Sequence, residues 1–341
     1  MQTPLQFNSL TNNKVPYIYI NMKNVRNTLD FIELDDAAKR QYIDAQTIFQ
    51  AEEAARQAAK EVRGGMYWRQ TRGTEYLIRT STSNSQKSLG PRTPETEAIY
   101  SRFVERKAAA EARLSSLRQA LIQNQKLNRV LHVGRAPVIV VEILNRLAIA
   151  GLAEYFTVVG THALYAFETA AGVRITDSSA METRDIDLLW DTRKRVQFVT
   201  QMPVHGSMVK LLQKVDPTFV VRQDQRYTAT NNDGFEVDIL RREAKEGDPH
   251  PCRLSDDDDD FWVVQARNAD FLLNASRFSS VIVATSGQMA RMNTISPVAF
   301  AEFKRWLAIQ PERDPLKRSR DSRQAKLVDV LVAEYFPQIR G

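Results

Sequence analysis

Asp185 and Asp187 stand one residue apart in the run Asp185-Ile186-Asp187-Leu188-Leu189-Trp190. On a strand, side chains at i and i+2 share a face, so both carboxylates point one way. Ile186, Leu188 and Trp190 then point the other way, into apolar packing. Neighbouring carboxylates repel, and a fold tolerates this chiefly where a hard divalent cation sits between them. Mg²⁺ suits such oxygen ligands and keeps places for water and for substrate phosphate. Downstream, residues 235–240 alternate so that Asp238 shares a face with Glu236 and Leu240. A carboxylate in an otherwise buried strand needs a partner or a metal. Upstream, Thr157-Val158-Val159-Gly160-Thr161 reads as strand, glycine, hydroxyl residue, helix start. That geometry aims backbone N–H groups and the helix dipole at an anion, with room for a phosphate to approach. An Asp-x-Asp pair alone is common by chance; the three elements in this order are far more specific.

Several elements must position these residues. Residues 138–149 form an apolar-rich helix, and residues 156–159 a short buried strand that leads through Gly160-Thr161 into a helix ending near Ala171. Residues 172–184 read as a loop and residues 185–190 as a strand. Residues 226–230 and 235–240 form a hairpin closed by Asn231-Asn232-Asp233-Gly234, a strong turn signal. A further strand pair is expected at 280–284 and 289–292. Ser296-Pro297 and Asp314-Pro315 each supply an N-cap followed by proline at the first helical position, which starts helices reaching about Ile309 and Tyr335. The first 135 residues are different in texture. Helix formers dominate residues 37–62, and Thr93-Pro94 opens a long helix to about Val130. Between them lie a hairpin signal (66–70 and 75–80) and a Ser/Thr/Asn-rich loop, 81–94.

Composition narrows the setting. The chain of 341 residues has room for two or three domains, and its one cysteine, Cys252, excludes an internal disulfide and a cysteine-based zinc site. No apolar run approaches the ~20 residues that cross a bilayer, and the N-terminus shows no secretory pattern. A cytoplasmic protein with no membrane association is expected. The net charge of +6 is uneven: residues 1–150 hold 22 Lys and Arg against 14 Asp and Glu, and the remainder 25 against 27. A basic half beside an acidic catalytic half fits a polyanionic partner, such as RNA, on the first; a solvated basic helical surface gives the same counts.

Gly160-Thr161, Asp185-Ile186-Asp187 and Asp238 together resemble the signature of the DNA polymerase beta-type nucleotidyltransferase superfamily. Residues 158–191 and 296–321 are especially similar to a family of bacterial nucleotidyltransferase-fold proteins of unassigned substrate. The resemblance implies an ATP- or other NTP-binding transferase with two Mg²⁺ ions, in which an acceptor attacks the α-phosphorus in line and pyrophosphate leaves. Asp185, Asp187 and Asp238 would hold the metals, Asp238 would help activate the acceptor, and Gly160 and Thr161 would contact the β/γ phosphates. Two departures stand out. Thr161 replaces the usual Ser or Gly, and the spacing from Thr161 to Asp185 is about twice the usual one, the excess falling in 172–184.

The C-terminal helices carry cations. Phe300, Phe303 and Leu307 form an apolar stripe beside Lys304, and Asp321 falls on a stripe with Ala325, Val328 and Val332, so it should face inward. Toxin-type nucleotidyltransferases carry a similar pattern. By that resemblance Lys304 meets a triphosphate oxygen, Lys317 or Arg320 adds phosphate contacts, and Asp321 orients the cations. A Lys317–Asp321 pair at i,i+4 plus surface charge is the plainer alternative. Other motifs read as structural: the run Asp256 to Asp260 as a solvated loop, His162 as a helix-start histidine, Tyr67, Trp68 and Tyr76 among arginines as a small hairpin core, and Cys252 as inert.

The expected architecture is α+β in three parts: a helical N-terminal region with a small hairpin (1–135), a mixed-sheet polymerase-beta-like nucleotidyltransferase core (136–292), and C-terminal helices closing the nucleotide pocket (293–341). The acceptor stays open among RNA (a tRNA end included), a protein side chain and a small molecule. The rivals are a nucleic-acid-binding or scaffold protein with a degenerate core, and a toxin-type member held by an antitoxin-like partner. The long N-terminal helices also offer a homodimer surface.

Overall fold

The computed structural model describes residues 30–83, 85–195, 198 and 206–339. The N-terminal stretch in which no secretory pattern was read lies outside them. An arm comes first. Strand β1 (Phe31–Glu33) precedes helix α1 (Asp36–Glu61), which Asp35 caps by accepting from Ala38 N–H at 2.8 Å. Strands β2 (Gly65–Thr71), β3 (Thr74–Thr80) and β4 (Gln86–Pro91) then form an antiparallel sheet. Helix α2 (Pro94–Val130) follows, opened by a Thr93–Thr96 capping box with Pro94 in the first turn. The 81–94 stretch expected as a loop thus contains a third strand, whose sequence, with Leu89 as its one large apolar residue, lacks the apolar alternation that signals one.

The arm is anchored on the core. Ala45 and Phe49 of α1 pack with Val281, Val283 and Met289, Gln41 bonds Asn124 and Asn128 of α2 at 3.0 Å, and Glu53 pairs with Arg291. Tyr67, Trp68 and Tyr76 belong to the small sheet, as the structural reading holds: Trp68 lies 5.8 Å from Tyr100 and beneath the Arg92 guanidinium.

The core is one mixed sheet. Its central strands are β5 (Phe156–Val159), β7 (Asp185–Trp190) and β10 (Glu236–Arg241), flanked by β12 (Trp262–Gln265) and β11 (Cys252–Arg253) on one side. On the other side stand β14 (Met289–Ile295) and β13 (Arg277–Val283), while β8 (Val220–Val221) and β9 (Thr228–Thr230) branch from β10. β7 runs antiparallel to β5 and parallel to β10. On one face, helix α3 (Val138–Ala150) packs over Ile186, Leu188, Trp190, Val237 and Ile239. On the other, helices α4 (Ala163–Ala171), α8 (Pro297–Ala308) and α9 (Pro315–Tyr335) cover Val159, Leu189 and Ile295. The period-2 pattern of β7 therefore sorts as expected, aliphatic side to α3 and carboxylate side to the C-terminal helices.

The remaining short helices, α5 (Ser178–Met181), α6 (Met208–Gln213) and α7 (Ala269–Asn274), sit in the connections. The 172–184 segment is more ordered than a loop. It holds strand β6 (Val173–Ile175), which pairs with β1, and α5, capped by Asp177. Elements of three and four residues are too short to show periodicity. The acidic run is also only partly solvated: Asp260 is buried and accepts from the Met208 and Val209 N–H groups at 3.0 Å.

Candidate active site

Register brings the aspartates together. Asp238 on β10 lies directly opposite Asp187 on β7, and Glu236 opposite Asp185. Carboxylate oxygens of Asp185, Asp187 and Asp238 all lie within 4.8 Å of one another. Thr183 donates to Asp185, and the Thr228 hydroxyl donates to Asp238 at 2.5 Å. Among the described residues, no Lys or Arg comes within ion-pair distance of any of the three. The electrostatic consequence is large. Burial, then repulsion from Asp185 and Asp238, pushes the Asp187 carboxyl up to about 7, against the pull of Lys304 and Arg313. Asp238 is raised by burial, with the Thr228 bond opposing and Asp185 adding to the rise.

Gly160 ends β5 and sits against this group. Its φ is +73°, and a Cβ built there would lie 2.2 Å from Asp187 Oδ2. Glycine is required twice over, by backbone conformation and by close approach. Thr161 follows, largely buried, and its hydroxyl oxygen accepts from Gln324 Nε2 at 3.1 Å. His162 is buried, edge-on to Tyr165 and Phe235; burial pushes its imidazole down to about 4.

The aspartates face a cavity of about 650 Å³ roofed by α8 and the start of α9. Gly160, Thr161, Lys304, Lys317 and Arg320 all line it. Asp321 does not; it is fully buried behind the roof, where it accepts from Lys304 Nζ at 2.9 Å and Arg313 Nε at 2.5 Å. The Lys317–Asp321 pair weighed as the plainer alternative is not formed. Lys304 is 3 % exposed, and burial lowers its ammonium pKa while Asp321 and Asp187 hold it up. Arg320 donates to the Glu182 carbonyl at 3.1 Å, so the segment between Thr161 and Asp185 braces the roof.

Some lining residues were not singled out as site residues in the sequence. Arg313 carries a buried carboxylate bond and faces the cavity, but it lies in the short link between α8 and α9, where periodicity gives no direction. Arg267 and Glu312 pair across the mouth from distant parts of the chain. Trp306 follows Phe303 at helical spacing and stacks with it, 5.7 Å between ring centroids at 21°.

An oxygen-only cluster at this spacing can hold a hard divalent cation, and the facing cations can hold a polyphosphate. No helix among the described residues is long and apolar enough to cross a membrane. Neither the curated proteins nor the solved structures yield a match. A nucleotidyltransferase family model, however, matches residues 139–339, more than half of the chain. The matched region takes in the strands that bear the aspartates and the helices that bear the cations, and leaves out the arm; the chain belongs to this nucleotidyltransferase family.

Proposed function

We propose that the protein transfers a nucleoside monophosphate from an NTP to an acceptor with Mg²⁺, on a polymerase-beta-like core. The observation that carries this is the charge arrangement: three clustered carboxylates that, among the described residues, have no Lys or Arg at ion-pair distance, facing a cavity whose opposite wall bears Lys304, Arg313 and Lys317. A repulsive carboxylate cluster in which Asp187 is raised to about 7 fits a divalent metal, and a cationic wall fits the triphosphate that such a metal accompanies. Two Mg²⁺ ions held by Asp185, Asp187 and Asp238 would neutralise the carboxylates and polarise the reacting phosphoryl group. Lys304, held by Asp321, Lys317 and Arg320 bind the phosphates, with Gly160 and Thr161 at the end of β5 allowing their close approach. The acceptor oxygen forms a bond to the α-phosphorus, the bond from that phosphorus to the β-bridging oxygen breaks, and pyrophosphate departs. Asp238 takes the acceptor's proton. In this division of labour 1–135 serves the acceptor, 136–292 the chemistry and 293–341 the nucleotide, in a cytoplasmic setting that supplies NTP.

RNA is the favoured acceptor. Between α1 and α2 the arm has a cleft of about 490 Å³ lined by Arg56, Lys60, Arg63, Lys107 and Arg118 against only Glu52 and Glu111. Burial and the like charges of Arg56 and Arg63 lower the Lys60 ammonium pKa, as expected of a cation short of an anion. A phosphodiester backbone supplies such anions.

The test is incubation of the protein, and of the Asp185→Ala/Asp187→Ala double variant, with each α-labelled NTP, Mg²⁺ and total cell extract. Label should enter a nuclease-sensitive macromolecule with the intact protein alone. Label in protease-sensitive material would move the acceptor to protein, and no label with any NTP would overturn the transferase reading.

A further inference from the structure

The face of α8 that reaches the cavity is not cationic along its length. Phe303, Trp306 and Leu307 stand at i, i+3 and i+4, one helical stripe, and all three line the cavity, with Gln310 just past the end of the helix beside them. Phe300, one turn earlier on the same side, is buried in the core. The stripe thus leaves the core and opens into the cavity as a stacked Phe–Trp pair that stays half-buried. The floor changes in the same manner. Two residues beyond Asp187 and Asp238 on the same strand faces come Leu189 and Leu240, which also line the cavity, joined by Ala266 and Leu272. Two residues of strand advance about 6.8 Å, the scale of a ribose. The cavity therefore has a carboxylate-and-cation end and an aliphatic-and-aromatic end.

We infer that the apolar end is a nucleobase site, in which Trp306 stacked on Phe303 covers one face of the base and Leu240 with Leu272 the other. The inference rests on the proposed NTP-dependent transfer and deepens it by fixing how the nucleotide lies: triphosphate at Gly160 and Lys304, ribose across the step from Asp238 to Leu240, base under α8. A flat aromatic ligand suits this end because it offers a π-face to a π-face and needs few polar partners. Polar groups stand at its edge. Gln310 donates to the Trp306 carbonyl at 2.9 Å, and Arg267 pairs with Glu312. Trp306 is accordingly a specificity residue for the base, apart from the groups that hold phosphate.

The experiment is calorimetric titration of the full chain with the four NTPs and with inorganic tripolyphosphate, each with Mg²⁺. Trp306→Ala should weaken NTP binding about 5- to 150-fold, the range of a single base–aromatic stack, and leave tripolyphosphate within about twofold. Trp306→Phe should restore most of the NTP affinity, whereas Trp306→Leu, which keeps apolar area and loses the ring, should not. Unchanged tripolyphosphate binding also certifies the fold of each variant. Equal losses for NTP and tripolyphosphate, or no loss for NTP, would overturn the assignment. The two readings separate cleanly. NTP binding that depends on Trp306 in a protein that transfers no label sinks the transferase proposal alone. Label transfer with a KM indifferent to Trp306 sinks the base site alone.

Discussion

Asp187 and Asp191 lie four residues apart, on and just beyond the same strand, and the fold treats them in opposite ways. Asp191 is 2 % exposed, yet Arg193 bonds both of its oxygens, at 2.7 and 2.9 Å, and Arg277 stands 3.6 Å away. Burial raises its pKa, but the Arg193 bonds and charge outweigh that and hold its carboxyl below the usual range. Asp187 has no such partner among the described residues; its neighbours are two more carboxylates, and it is pushed up to about 7. A chain that can place Arg193 beside buried Asp191 could place an arginine beside half-buried Asp187. In the proposed function Asp187 is left for a ligand from outside, whereas Asp191 is held by arginine.

Paired substitutions test that contrast most severely. Asp187→Ala should cost on the order of 10³-fold in turnover, about 4 kcal/mol of transition-state stabilisation, while leaving the metal-free melting temperature unchanged or higher. Asp191→Asn should leave turnover within a few-fold and lower stability by about 2 kcal/mol, because Arg193 and Arg277 lose a buried anion. Turnover assays beside urea unfolding settle it; exchanged roles would break the comparison.

Asp321 sharpens it, since it is a buried carboxylate whose partners face the site. Asp321→Asn removes the anion that both Lys304 and Arg313 contact. A loss of about 3 kcal/mol in stability is expected, with KM for NTP up about tenfold as the two cations lose their aim. A change in stability with KM untouched would make Asp321 another Asp191. Smaller still is Gly160→Ala. Its methyl would press on Asp187 Oδ2 and strain a φ of +73°. About 1 kcal/mol of stability should go, together with a several-fold loss of Mg²⁺ affinity by titration calorimetry. An alanine variant with intact affinity would show that Asp187 can move aside.

The part of this site legible in the sequence is the part built on strand periodicity and local caps. Residues i and i+2 put Asp185 and Asp187 on one face, the Asn231 to Gly234 turn set the register of Asp238, and Ser296-Pro297 and Asp314-Pro315 began their helices where expected. The stripe of Asp321 with Ala325, Val328 and Val332 predicts that it faces inward, and it is fully buried. What sequence spacing hid was long-range pairing. The choice of Arg313 and Lys304 over Lys317 as partners of Asp321 depends on how α8 and α9 meet. The pairing of β1 with β6 joins residues 31–33 to residues 173–175, in a stretch whose composition signals only a loop. The burial of Asp260 depends on α6 beginning against it, which no feature of five consecutive aspartates announces. Phe303 was placed on an apolar stripe, but whether a stripe meets the core or a cavity is decided by its neighbours.

The mildest expected effect concerns pH. Asp187 is raised in the fold from 3.8 to about 7, so the folded state holds a proton that the unfolded chain releases earlier. The stability it lends is complete below the unfolded value and is lost as pH rises through about 7; Asp238, also raised, acts in the same sense. His162 has the opposite sign. Pushed down from 6.5 to about 4, it lends stability above 6.5 that is lost as pH falls toward 4, so it is silent on the alkaline side. In a chelator, the melting temperature should therefore drop by a few degrees between pH 6.5 and 8. Mg²⁺ should recover it more at pH 8 than at pH 6.5, because a cation competes with the proton for the same oxygens. Asp187→Asn should flatten the slope and most of the Mg²⁺ response, while Asp191→Asn should alter neither. A slope that survives in Asp187→Asn would mean that the strain between like charges lies elsewhere than on β7.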